Sequence, residues 1–149
     1  MISLPPGPLL FDTAIYIRFA RGEKYPWLGE DARVFRRTIL TAVVAAELYA
    51  GTRTLREKKA LDSLCAAHRA LGHFSFPSAE VWTGAGILLR RASAVFGRLD
   101  FARHFRDLLI AMEASRAAAT LVTENVRHFA RWKSLLAPAR KPLKLFTLA

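Results

Sequence analysis

The sequence predicts an α/β fold in which helices cover both faces of a largely parallel sheet. Short apolar runs typical of buried strands alternate along the chain with longer segments whose apolar residues recur at helical spacing. Acidic residues also follow or head several of these apolar segments in a chain that is otherwise strongly basic. Parallel sheets bind ligands beyond the carboxyl ends of their strands, so these acids are the first candidates for a functional site.

Five short apolar segments are predicted to be strands. They cover residues 8–11, 38–41, 73–77, 117–122 and 143–146. Pro5, Pro6 and Gly7 set the start of the first strand. The third alternates only weakly, and the fifth alternates in the way expected for an edge strand.

The segments between the strands are predicted to be helices. They cover residues 14–21, 31–37, 42–50, 52–71, 81–95, 105–116 and 126–132. Gly51 is expected to end the third helix, and Ser78 is expected to cap the fifth. Residues 22–29 contain Pro26 between two glycines and are predicted to break the helical pattern.

The stretch from Phe105 to Asn125 organises this layout. Its helix is headed by Asp107 and leads into a buried strand that ends at Thr123. A helix of this length, rising ~1.5 Å per residue, returns the chain across a sheet, so Asp107 and Asn125 can face the same edge. A simpler interpretation makes Asp107 an ordinary helix-start acid, favoured by the macrodipole.

Composition limits the class of protein. The 149 residues predict a single domain, residues 1–149, and the 52% apolar content argues against disorder. No apolar run approaches the ~20 residues that span a bilayer, and no basic region precedes the first apolar stretch as in a signal peptide. Cys65 is the only cysteine, which excludes an internal disulfide and favours a reducing, cytoplasmic setting.

The charge predicts a polyanionic partner. Lysine and arginine number 23 against 12 acids, which favours nucleic acid, with an acidic protein or membrane surface as the alternatives. The four histidines show no shared metal spacing, and the three tryptophans are too scattered to predict a base-stacking platform.

Three acids lie in apolar surroundings, namely Asp12, Glu47 and Asp107. A buried carboxylate is costly unless it is paired or bound to a metal, so an arginine partner is one explanation for Glu47. If the three converge, their oxygen ligands suit Mg²⁺ or Mn²⁺ and not zinc. Such a metal can activate water and stabilise charge on a phosphate, which in a basic protein indicates phosphodiester hydrolysis.

Four segments in series resemble the successive motifs of a PIN domain, and most closely those of VapC-type toxins from toxin–antitoxin pairs. The segments are residues 9–13, 41–51, 107–114 and 121–129. The resemblance covers essentially the whole chain. It implies a three-layer α/β/α sandwich around a mostly parallel sheet of four or five strands. It also implies a Mg²⁺- or Mn²⁺-dependent endoribonuclease that is the toxin of a type II toxin–antitoxin system.

The resemblance assigns Asp12, Glu47 and Asp107 to the catalytic and metal-binding centre, with Asp12 and Asp107 as direct ligands. Thr13 and Thr123 would give polar support near that centre.

The chain departs from the family pattern at the fourth acid. The family often has Asp or Glu two or five residues after the motif threonine, where this chain has Asn125 and His128. Asn125 can orient a water but contributes no charge. A PIN scaffold that binds RNA or protein with weak or no turnover is therefore the alternative function, and a DNA-binding repressor lacks the expected helix-turn-helix pattern.

The resemblance also implies partners. These are RNA, with tRNA or another structured RNA among the candidates, and a small VapB-like antitoxin, with a homodimer as the expected assembly. Arg103, Arg106 and His128 are the candidate RNA contacts. An apolar groove between the first helices and the helix of residues 52–71 is the expected docking place for an antitoxin helix.

Overall fold

The computed structural model describes residues 3–138 and 142–148. In this part of the chain five parallel strands form one sheet in the order β3-β2-β1-β4-β5. Their bounds are β1 Leu9–Phe11, β2 Thr38–Thr41, β3 Phe74–Ser75, β4 Thr120–Thr123 and β5 Lys144–Thr147. The predicted parallel sheet is confirmed, and β5 lies at an edge as expected.

Eight helices accompany the sheet in the described residues. Their bounds are α1 Thr13–Ala20, α2 Trp27–Glu30, α3 Ala32–Arg37, α4 Ala42–Ala50, α5 Leu55–Ala70, α6 Ala79–Phe96, α7 Phe101–Arg116 and α8 Val126–Leu136. Gly51 ends α4 and Ser78 caps α6, as predicted. The short α2 lies in the segment that was expected to be irregular. None of the described helices is long and apolar enough to cross a membrane.

The two central strands are buried along their whole length. Leu9, Leu10 and Phe11 of β1 are each at most 1% exposed, and all four residues of β4 are buried. Neighbouring strand residues point to opposite faces, so burial of consecutive residues means that helices cover both faces of the sheet. This is the three-layer arrangement expected from the motifs.

Helix α7 begins earlier than its apolar pattern predicts. Asp100 caps it by accepting a hydrogen bond from the backbone N–H of Ala102 at 3.1 Å, and the helix runs from Phe101. Asp107 therefore lies within the helix. The interpretation of Asp107 as a helix-start acid is wrong, because Asp100 occupies the capping position.

Three other elements also have bounds that differ from the predicted ones. Helix α5 starts at Leu55 and not at residue 52, because Thr54 and Glu57 form a capping box. Strand β4 starts at Thr120 and not at residue 117, because Ala118 turns the chain with a positive φ of 53°. Strand β3 is shortened to two residues.

The strand register positions the carboxyl edge of the sheet. Phe11 is paired with Val122, and the backbone N–H of Asp12 donates to the carbonyl of Val122 at 2.9 Å. Asp12 thus follows β1 at the level where Thr123 ends β4. The two strand ends that the motifs single out are direct neighbours.

Candidate active site

Asp12 is fixed from two sides at the carboxyl end of β1. It caps α1, and its Oδ1 accepts from the backbone N–H of Thr13 at 2.8 Å. Its Oδ2 accepts from the hydroxyl of Thr123 at 3.0 Å. Burial raises the pKa of Asp12, although the hydrogen bonds from Thr123 and Thr13 oppose the change. The carboxylate is thus oriented by the chain before any ligand binds.

Glu47 is held between a hydroxyl and a guanidinium. Thr13 donates its hydroxyl proton to Glu47 Oε1 at 3.1 Å, and Arg106 Nη1 lies 3.5 Å from Oε2. The ion pair suggested by the apolar surroundings of Glu47 is therefore present. Its members are 54% and 27% exposed, so solvent screens the pair and it adds little to stability.

Asp107 interacts electrostatically with both other acids. Burial, followed by the charges of Asp12 and Glu47, raises its pKa to about 6, and His128 and Arg106 act in the opposite direction. His128 Nδ1 lies 3.9 Å from Asp107 Oδ2. The structure therefore brings together Asp12 at the end of β1, Glu47 of α4 and Asp107 of α7, and the charges of the first two repel that of Asp107.

Thr123 connects Asp12 to the position of the missing fourth acid. Its hydroxyl donates to Asp12 and accepts from the backbone N–H of Asn125 at 3.0 Å. Asn125 begins α8 without a side-chain capping bond and is exposed. On the side of α8, the backbone of Asn125 thus lies beside Thr123, and the imidazole of His128 lies beside Asp107.

Glu124 is held by partners outside this group, although its charge contributes to the raised pKa of Asp12. It accepts hydrogen bonds from Arg18 Nε at 2.8 Å and from the hydroxyl of Tyr25. A direction away from the neighbouring residues was expected from its place at a strand end. Its two partners could not be foreseen, because they lie on α1 and in the loop after it.

A further buried acid, Glu113, was missed in the sequence. It is 7% exposed and accepts hydrogen bonds from the hydroxyls of Thr41 and of Ser75, the latter at 3.2 Å. Burial raises its pKa, and both hydroxyls oppose the change. The feature of the sequence that could have revealed it is a carboxylate on the apolar side of α7. Because β2 and β3 satisfy it, Glu113 belongs to a separate polar group.

The donor set suits a hard cation. Among the described residues no three Asp, Glu, His or Cys side chains already stand in an arrangement that could hold a metal ion. A Mg²⁺ site needs fewer protein ligands than that, because the ion keeps several waters and binds through one or two carboxylates plus substrate phosphates. Asp12 and Asp107, both with raised pKa values, carry charge that such a cation would neutralise.

An apolar groove runs beside the site. It has a volume of about 750 Å³ and lies between α1, α3, α4 and α5, where the groove was predicted. Its lining includes Ile17, Val34, Leu61 and Leu64, and also Glu47 of the acidic group. The groove is therefore continuous with the candidate active site.

No protein-family model matches the sequence, and no curated protein matches it. Solved structures do match. One is VapBC2 from Rickettsia felis bound to a DNA fragment from their promoter, with 21% identity and a TM-score of 0.62 over 95% of this chain and 98% of that chain. The structure of FitAB bound to an IR36 DNA fragment matches with 15% identity and a TM-score of 0.63 over 93% and 94%. VapBC-1 from nontypeable Haemophilus influenzae matches with 18% identity and a TM-score of 0.62 over 93% and 96%.

At these identities the likeness shows the fold. The PIN-like sandwich expected from the four motifs is confirmed, and the matched chains come from complexes whose names agree with the motif resemblance.

Proposed function

We propose that the protein is a Mg²⁺- or Mn²⁺-dependent endoribonuclease and the toxin of a toxin–antitoxin pair. The observation that carries the proposal is the convergence of Asp12, Glu47 and Asp107, whose mutual repulsion contributes to the raised pKa of Asp107. In a basic chain, three acids at the carboxyl edge of a PIN-like sheet can bind a cation, and the surrounding positive charge can bind a polyanion.

Each residue has a role in this proposal. Asp12 and Asp107 would hold the cation, with Glu47 acting through a water. When bound, the cation would supply an activated water and stabilise charge on the phosphate. Thr13 and Thr123 orient the carboxylates by the hydrogen bonds described above.

The remaining polar groups would handle water and substrate. Asn125, exposed at the start of α8, is suited to orient a water through its amide. Arg103, Arg106 and His128 would bind the RNA backbone. Arg106 is paired with Glu47, so binding of phosphate there would exchange one partner for another.

An antitoxin helix would occupy the apolar groove. Ile17, Leu61 and Leu64 offer apolar contacts, and the groove reaches Glu47. An amphipathic helix laid there would place the residues that follow it over the acids. The matched structures of VapBC and FitAB proteins support such a partner. A homodimer is proposed on the motif resemblance alone.

Cleavage of a mixed pool of tRNA and single-stranded RNA tests the activity, in Mn²⁺, Mg²⁺ or EDTA. We expect metal-dependent cutting by the wild type, lost in Asp12→Asn and Asp107→Asn. Thr123→Val should reduce the rate by roughly 10- to 100-fold, as is usual when a ligand loses its supporting residue.

Asp62→Asn is the matched control, because Asp62 lies on α5 and is bound by Lys58 and Tyr49 away from the acids. Equal cutting by the wild type and both acid variants would refute the proposal. A folded wild type that binds no Mn²⁺ and cuts no RNA would leave the binding scaffold as the function.

A further inference from the structure

A guanidinium and an exposed aromatic ring lie together where α6, α7 and α8 meet. The Cζ of Arg131 lies 5.6 Å from the ring centroid of Phe96 and 5.4 Å from that of Trp132. Trp132 is 1% exposed, whereas Phe96 is 49% exposed at the end of α6. The Phe96 ring, which packs against Arg131, thus remains accessible to a ligand.

This pair is connected to the acidic site through neighbouring histidines and arginines. The ring of His104 packs edge-on against Trp132 at 5.9 Å. Burial, and then the charges of Arg131 and Arg103, lower the pKa of His104, so both arginines lie close to it. His128 precedes Arg131 by three positions on α8, which places the two on one side of the helix, and it contacts Asp107 at 3.9 Å.

The charge of this surface is one-sided. Helix α8 carries Arg127 and Arg131 four positions apart, on one side of the helix, and has no acid. Asp100 is the acid that acts on His104, and it is engaged in capping α7. A polyanion that reaches the three acids would therefore meet positive charge on the side of α8.

We propose that Arg131 and Phe96 form an RNA-anchoring site, in which the guanidinium binds a backbone phosphate and the ring stacks on an unpaired base. The inference rests on the proposed function and deepens it by naming the substrate class. Arginine matches phosphate geometry, and stacking on an aromatic ring accepts any base. Paired bases are stacked within a duplex, so the site selects RNA that is single-stranded next to the cleaved bond.

The chain contains a natural control for this pair. The Cζ of Arg69 lies 4.6 Å from the ring centroid of Phe74, which also gives a cation–π contact. Phe74 belongs to β3 at one edge of the sheet, whereas α8 packs against β5 at the other edge. Arg69→Gln therefore removes the same charge and the same kind of contact far from α8.

Binding is measured by fluorescence anisotropy in EDTA, with a labelled single-stranded oligoribonucleotide and the duplex of the same sequence, over a range of salt concentrations. Arg131→Gln should reduce the slope of log affinity against log salt by about 0.7, the value for one phosphate contact on a single strand. Phe96→Leu should weaken single-strand binding by roughly tenfold and leave the slope unchanged. Phe96→Tyr should bind like the wild type, because it keeps the ring, and Arg69→Gln should leave the slope unchanged.

Thermal melting of each variant separates lost binding from lost folding. The inference is overturned if Arg131→Gln behaves like Arg69→Gln, if Phe96→Tyr binds as weakly as Phe96→Leu, or if the wild type prefers the duplex. Cleavage by the wild type in any of these cases would leave the nuclease intact. If the wild type binds single strands through Arg131 and Phe96 but never cuts RNA, the anchoring site stands and the proposed nuclease fails.

Discussion

Replacing Asp107 by Asn is expected to stabilise the metal-free protein at pH 7, although it removes a central residue of the candidate site. The pKa of Asp107 is about 6 in the folded protein, against an ordinary value of 3.8. The unfolded chain therefore releases this proton more readily, so ionisation at neutral pH favours unfolding. Asn has the shape of the carboxyl group without its charge.

The magnitude follows from the shift in pKa. A change from 3.8 to about 6 corresponds to an upper limit of about 3 kcal/mol at pH 7. The Asp107 side chain is 32% exposed, and solvent screens part of the repulsion, so we expect a gain of about 1–2 kcal/mol. The direction of the pKa shift also determines how the effect depends on pH. The wild type recovers this stability as the pH falls from about 6 toward 4, so the advantage of Asn disappears there.

Urea unfolding in EDTA at pH 7 and pH 4 measures the effect, with Asp62→Asn as control. Lys58 and Tyr49 lower the pKa of Asp62, so that variant should show no gain in stability. In matched samples without EDTA, Mn²⁺ at pH 7 should raise the stability of the wild type more than that of Asp107→Asn, because ligands stabilise the state that binds them. A less stable Asp107→Asn at pH 7, or a gain that persists at pH 4, would show that burial and the charges of Asp12 and Glu47 do not raise the pKa of Asp107.

Two other predictions concern the core and the groove. His68 is 1% exposed, and burial lowers its pKa from 6.5 to about 4. As the pH falls, the unfolded chain therefore binds a proton on this residue before the folded protein does. Up to about 3 kcal/mol of folding stability is lost between pH 6.5 and pH 4 for this reason. Urea unfolding of His68→Gln across this range should lack that loss, and a wild-type pH profile retained by the variant would contradict the assignment. Leu64→Lys, in the lining of the groove, should weaken binding of an amphipathic antitoxin helix by more than about tenfold in titration calorimetry. Unchanged Mn²⁺ binding by this variant would be its control, and undiminished helix binding would exclude the groove as the docking place.

The central strands and the acids beside them were predictable because their signals are local. Leu9 and Leu10 form a continuous apolar run bounded by turn residues, and such runs are buried wherever they pair. Asp12 follows that run directly, so its place at the edge of the sheet needs only the strand to be correct.

Tertiary contacts account for what the sequence did not reveal. The pairing of Glu47 with Arg106 depends on the packing of α4 against α7, and no spacing in the sequence encodes it. Glu113 was missed because its hydroxyl partners, Thr41 and Ser75, lie on β2 and β3, far from it in the sequence. The sequence did not reveal Asp100 as a helix cap, because the helix that it caps starts with a segment whose apolar pattern is weak.

The two hydrogen bonds to Asp12 limit how its carboxylate can bind anything else. Ionised, it has about four lone-pair directions, and Thr13 and Thr123 each occupy one, on different oxygens. Rotation about the last side-chain bond would break both hydrogen bonds at once, so the carboxylate plane is fixed. One free direction remains on each oxygen, and an incoming ion must approach along these two lines or displace a hydrogen bond. Asp12 thereby dictates the angle of approach as well as supplying charge.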